Sequence, residues 1–318
     1  MATLAATQHE NVLVPSESFP FTIVPQTDPV TRRTDDVLGS ARARSHIPKT
    51  FFTQTSTEYW TRGASLLHTE VDGKKDVSLD PHVRLYVVAG AQHLGGGSTN
   101  RGSYQYPCNP LNDRPHVLRA LLVALDEWAS HGIPPPESRY PRISDGTLVT
   151  VDAFRTAFPA IPSVQLPTAC YTPLRLDFGP RWETNGIADI VPPKIGRPYR
   201  TLVPAVDRDG NELAGIRLPD VAVPLATYTG WNLRAAPHGA QGMLAPYHGS
   251  YLPFVRTYED RLKANDPRPA ALERYPSRMV YLFHFEKVAC KLRNQRLLLD
   301  EDVALLLKTA GERELWGR

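Results

Sequence analysis

Glu58 and His93 stand 35 residues apart, and each lies just past a run suited to a strand. Pro48 to Thr55 is the first run, followed by Ser56-Thr57-Glu58; Val83 to Gly90 is the second, followed by Ala91-Gln92-His93. A carboxylate set against an imidazole fixes its tautomer and stabilises its protonated form, so the ring can take a proton from a nucleophilic hydroxyl. If the two strands are parallel neighbours, their C-terminal ends share one sheet edge, and a right-handed crossover brings both residues to one crevice. Acid after one strand and histidine after the next is the closing order of a Ser–acid–His triad on such a sheet. The serine belongs upstream, in a tight Gly-x-Ser-x-Gly turn, and no serine of this chain sits in one. Ser98 has Gly96 two before it but Asn100 two after, and Ser250 follows Gly249 late in the chain. Plainer roles exist for both residues. Glu58 would interact well with the dipole of a helix it begins, and His93 would be a loop histidine bonded to backbone.

The elements around this pair follow an αβαβα rhythm. The segment up to about Pro29 reads as extended, with Phe19, Phe21, Ile23 and Val24 as anchors, and Thr34-Asp35 would cap a short helix over residues 36–44. A helix from about Glu58 to His68 carries Trp60, Ala64 and Leu67 at helical spacing. Residues 84–90 suit a buried parallel strand. A Gly95-Gly96-Gly97 loop follows. A helix over 115–130, capped by Asn112 or Asp113 and stopped by Gly132, presents Leu118, Leu121, Leu122, Leu125 and Trp128. After Pro134-Pro135-Pro136 the pattern changes to short strands: 147–150, 174–178, 187–191, 200–206, 213–218 and 221–228, with Asp209-Gly210 as a hairpin turn and Pro224 as a bulge or edge. Helices return over 258–264, 270–275, 276–297 and 300–309, the last capped by Asp300. Two units are expected, residues 1–132 as the core part and 133–318 as a β-rich and helical elaboration packed with it.

Composition excludes several classes. Hydrophobic content of 42% and charged content of 22% place the chain among globular proteins. The net charge of +3 is spread out, with no basic run or basic-aromatic stripe, so nucleic acid is not a predicted partner. No apolar run is long enough to span a membrane. Residues 1–10 lack the basic start of a signal peptide. The 30 prolines, about twice the usual share of ~5%, favour loops after Gly132. Cys108, Cys170 and Cys290 have no metal spacing and read as isolated thiols, with one disulfide left open; ten histidines include no His-x-x-x-His pair. No cofactor and no metal are predicted. Tyr228, Trp231 and Tyr251 suggest either a pocket wall or a packed aromatic cluster. Asp28 and Asp177 read as turn or cap residues.

Several blocks together resemble one bacterial family. They are Thr53-Gln54-Thr55-Ser56-Thr57-Glu58-Tyr59-Trp60, Ala64–Thr69, Ala89-Gly90-Ala91-Gln92-His93, Arg119–Trp128, Ala214–Pro219, Val223–Leu233 and Gly249–Phe254. The chain resembles the C-terminal half of the poorly characterised alpha/beta hydrolase domain-containing proteins over nearly its whole length. The resemblance implies an α/β fold: the last parallel strands and helices of an α/β-hydrolase, with a β-rich, proline-rich region and C-terminal helices. It also implies ester-type hydrolysis of a small-molecule substrate, with Glu58 as the triad acid and His93 as the base. In the family the serine elbow lies upstream of the segment where this chain begins. The nucleophile is therefore expected outside this chain, which would be a fragment, from a misplaced start codon or a broken gene, and inactive alone. The alternative is a non-catalytic interaction or scaffold protein derived from a hydrolase, with a homo-oligomer or a complementing partner covering the truncated sheet.

Overall fold

The computed structural model describes residues 19–111 and 114–316. Strand β1 (Thr50–Thr55) pairs in parallel with β2 (Val83–Val88), in unbroken register from Thr50↔Val83 to Thr55↔Val88. Helix α1 (Ser56–Thr61) starts on the residue after β1. Along β2 the side chains alternate between two cores, as the two-residue period of a strand requires. Tyr86 and Val88 pack with Val117 and Leu121 of α2 (Arg114–His131), and with the C-terminal helices. Val87, one residue out of phase, packs with Tyr59, Leu148 and Leu202 on the other side. The free side of β2 is stitched to later parts of the chain by parallel bridges. Val87 N–H donates to Arg139 O at 2.8 Å, and Ile216 N–H donates to Val87 O at 2.7 Å.

Several elements depart from the sequence expectation. The helix expected over 58–68 begins two residues earlier and ends at Thr61. Gly63 then takes a φ of +66°, and the chain continues as a 3₁₀ turn, Ala64–Leu67; a left-handed glycine is a common way for a helix to stop. Thr34–Asp35 is no cap but a short strand against Gln26–Thr27, and the helix there is only Gly39–Ala43. Helix α2 lies close to its expected bounds. Its buried stripe is Val117, Ala120, Leu121, Ala124 and Trp128, while Leu118 and Leu122 face outward, because only a 3.6-residue spacing shares one face. The expected caps Asn112 and Asp113 lie outside the described residues.

In the second half, Asp209-Gly210 does turn the chain, with Asp207 N–H bonded to Asn211 O at 2.8 Å. Its arms are not the long strands expected: Val203–Pro204 pairs with Leu148–Val149, and Ile216 is drawn to β2 instead. Residues 187–191 form no strand, since the N–H groups of Asp189 and Ile190 both turn back to Phe178 O. The partner of Leu174–Asp177 is Lys194–Pro198. The expected strand 221–228 splits into α3 (Pro219–Ala222) and β3 (Ala226–Tyr228), with Pro224, which has no N–H to give a ladder, between them. β3 pairs antiparallel with β4 (Tyr251–Pro253). The helical C-terminal region matches its expectation more closely, with Tyr258–Ala264, Ala271–Arg274, α4 (Arg278–Asn294) and α5 (Asp300–Gly311). Leu299, not Asp300, occupies the α5 cap position; Asp300, Glu301 and Asp302 form an acidic first turn that suits the helix dipole.

Phe19 and Ile23 are buried as expected, Phe19 beside Leu66, Val71 and Tyr199. Asp177 accepts Gly179 N–H at 2.9 Å, the turn role expected of it. Asp28 also accepts a turn N–H, from Val30 at 2.8 Å. It is more than a turn residue, though, because it is fully buried and pairs with the buried Arg175 at 2.8 Å while accepting the Tyr199 hydroxyl at 2.5 Å. Burial alone would push this carboxyl up, but the hydrogen bonds from Tyr199 and Arg175 outweigh it and hold the group below the usual range. The pair ties the segment before β1 to the strand Leu174–Asp177. Replacing Asp28 by Ala would leave the Arg175 charge without its carboxylate, and a loss of about 3–5 kcal/mol in urea unfolding is the expected result; a loss below about 1 kcal/mol would show that the pair contributes little.

Candidate active site

The parallel register places the ends of β1 and β2 side by side, and the two residues singled out by sequence meet there. His93 Nδ1 lies 2.5 Å from Glu58 Oε1. An ionised carboxylate can only accept, so the proton belongs on Nδ1 and Nε2 becomes the basic ring nitrogen. Among the described residues no hydroxyl or thiol hydrogen-bonds to His93. The imidazole is 46% exposed and the Glu58 side chain only 18%. The imidazole is thus open at the surface, and the carboxylate beside it is largely shielded.

Glu58 fills its two roles with different oxygens. Oε1 takes the imidazole, while Oε2 accepts Thr55 N–H at 2.7 Å and the Thr55 hydroxyl. Thr55 is the cap of α1 and Glu58 its third residue, so the carboxylate reaches back to the cap N–H as in a capping box. The plain helix-start role and the imidazole contact are therefore the same side chain in the same rotamer. The bond to Thr55 restrains the carboxylate that faces His93.

His93 is held from several directions. Its N–H donates to Tyr247 O at 3.1 Å, and Arg114 Nη1, at the start of α2, donates to its carbonyl at 2.6 Å. The Tyr247 ring lies 5.4 Å from the imidazole, centroid to centroid. Within the preceding loop, Asn109 Nδ2 donates to Gly90 O at 2.7 Å, and Gln92 Nε2 donates to Asn109 O at 2.9 Å. Gly249 N–H then closes on Gln92 Oε1 at 3.0 Å. Asn109 and Gln92 are buried, so these bonds also satisfy their own amides.

Glu212 is the residue that sequence reasoning missed. Its Oε2 accepts the Ser56 hydroxyl at 2.5 Å and Gly90 N–H at 3.1 Å. Ser56 opens the helix that carries Glu58, and Gly90 opens the loop that carries His93. One buried oxygen therefore joins the two arms of the site just behind the Glu58–His93 pair. The loop after β3 backs the same spot: Thr57 donates to Gly230 O at 2.8 Å, and a Cβ on Gly230 would fall 2.2 Å from Ser56 Cβ. No one-dimensional pattern marks Glu212, since an acid two residues after Asp-Gly normally reads as exposed.

Other residues stay apart from this centre. Gly95-Gly96-Gly97 packs on the Pro110 stretch, with Gly97 N–H bonded to Pro110 O at 2.8 Å. His68 is buried against the Tyr59 hydroxyl, 2.8 Å away, and burial pushes its pKa down to about 4, so the ring is neutral. The three cysteines are free, and no group of His, Cys, Asp or Glu among the described residues could hold a metal ion. No helix among the described residues is long and apolar enough to cross a membrane. Trp231 packs with Trp60, Tyr106 and Phe158, while Tyr228 and Tyr251 line a cleft elsewhere.

Burial pushes the Glu212 carboxyl up to about 7, against the hydrogen bonds from Ser56 and Gly90 that favour its charged form. Unfolded, the same group titrates near 4.5. Between these values the native state keeps a proton that the unfolded chain has released. Its contribution to stability is complete below 4.5 and is lost as pH rises through about 7. Melting temperatures from about pH 4 to 8 should fall in the wild type relative to Glu212→Gln as pH rises; a constant difference would mean that Glu212 titrates alike in both states.

The alpha/beta hydrolase domain family model matches residues 23–308. No curated protein and no solved structure matches the chain. The match covers both strands, the Glu58–His93 pair, Glu212 and nearly all of the helical region that packs behind them, and on that ground the chain belongs to the alpha/beta hydrolase domain family.

Proposed function

We propose that Glu58 and His93 are the acid and the general base of an ester-type hydrolase, acting on a small-molecule substrate. The nucleophilic serine would come from outside the described residues. The observation that carries this reading is the 2.5 Å contact between His93 Nδ1 and Glu58 Oε1 at the adjacent ends of two parallel strands. In the reaction, Nε2 would take the proton of the serine hydroxyl as it attacks the ester carbonyl, and would return it to the leaving alcohol. Glu58 would stabilise the imidazolium in between. On this reading the sheet described here is part of a larger one, and the segment after residue 132 is an elaboration that backs the pair through Glu212 and Tyr247. This chain alone is then expected to hydrolyse short p-nitrophenyl esters no faster than its His93→Ala variant, and to take no label from a fluorophosphonate. Strong labelling of any serine among residues 19–316 would sink the claim of an external nucleophile.

A second reading, a non-catalytic scaffold that binds a partner, has one observation in its favour. Among the described residues β1 pairs with β2 only, so its outer edge presents unpaired strand backbone. Such an edge is a template for another strand. Size-exclusion chromatography separates the cases: self-association relieved by a β1 proline such as Thr53→Pro supports the scaffold, and a monomer with a cooperative melt argues against it.

A further inference from the structure

A cleft of about 800 Å³ among the described residues is lined by neither Glu58 nor His93. It lies between the start of α2, the β3–β4 pair and the end of α5, and its size is that of a small-molecule site. Tyr228 and Tyr251 stand on the same rung of the antiparallel pair, so both rings lie on one face, 5.7 Å apart. Both line the cleft. Tyr228 is only 4% exposed, yet its hydroxyl hydrogen-bonds to no described residue, and neither does that of Tyr251. Neither hydroxyl is sealed in the interior, so each is open to the cleft and can donate to whatever occupies it. Two such donors side by side suit an acceptor supplied by a ligand.

The charges of the lining are already matched. Arg313 donates to Asp220, and Arg119 donates to Asp302, which also lies 2.7 Å from His116 Nδ1. Glu314 lines the cleft and is exposed. Each guanidinium thus already has a carboxylate partner. Leu225, Phe254, Leu305 and Leu306 give the rest of the wall an apolar character.

We propose that this cleft is a second binding site, separate from the Glu58–His93 pair, for a neutral and largely apolar molecule whose carbonyl oxygen accepts from the Tyr228 and Tyr251 hydroxyls. Three matched probes test it by calorimetry on the whole chain: 4-phenyl-2-butanone, butylbenzene and 3-phenylpropanoate. The ketone should bind best, with the hydrocarbon and the anion each weaker by about tenfold or more. Tyr228→Phe and Tyr251→Phe should each weaken the ketone by about fivefold and leave butylbenzene unchanged. Thr309→Trp, at an exposed helical position on the cleft wall, should remove binding of the ketone without lowering the melting temperature. The proposal fails if the ketone does not bind, if it binds no tighter than butylbenzene, or if its affinity survives both Tyr→Phe changes or the Trp substitution.

Discussion

The Thr55↔Val88 rung of the parallel pair sets everything at the candidate site. With those two residues opposed, α1 leaves one strand and the His93 loop leaves the other from the same edge. A slip of one residue would turn every β2 side chain to the opposite face. Tyr86 and Val88 would then leave the helical layer, and Val87 would leave the Tyr59–Leu202 core. The register is thus fixed by burial on two faces, and the position of two polar side chains follows from the packing of apolar ones.

What register leaves open is closed by buried hydrogen bonds. Glu212 joins the first turn of α1 to the end of β2, Asn109 donates to Gly90 O, and Gln92 ties Asn109 O to Gly249 N–H. Away from water such bonds are stronger and an unmet polar group is more costly, so each member tends to hold the others in place. The Glu58 carboxylate is part of this logic. Its bond to Thr55 restrains the rotamer in which the second oxygen meets His93. The Arg175–Asp28–Tyr199 cluster does the same for the segment before β1. In both places a carboxylate links pieces of chain that are distant in sequence.

Legibility differed between local and long-range features. The two parallel strands, α2 and the C-terminal helices were readable because each is long enough to show its period. Glu58 and His93 were readable because their place after those strands is a local fact. The region between residues 133 and 250 was read less well. Its strands run for two to five residues, too short to show a period, and their partners are remote: Leu148–Val149 with Val203–Pro204, and Ile216 with β2. Prolines at 192, 193 and 224 moved or split the strands expected there.

By itself, then, the sequence singled out Glu58 and His93 as an acid and an imidazole at adjacent strand ends, and it set the order of the elements that bear them, since local propensity and spacing encode both. It also carried the motifs by which the chain resembles its family. Only the tertiary structure decided that the acid and the imidazole touch, that Glu212 sits buried behind them, and that two tyrosine hydroxyls face a cleft away from both. Those outcomes depend on contacts between residues remote in sequence, such as Ser56 and Glu212, 156 positions apart. Burial, unlike periodicity, is a property of the packed chain and not of any segment of it.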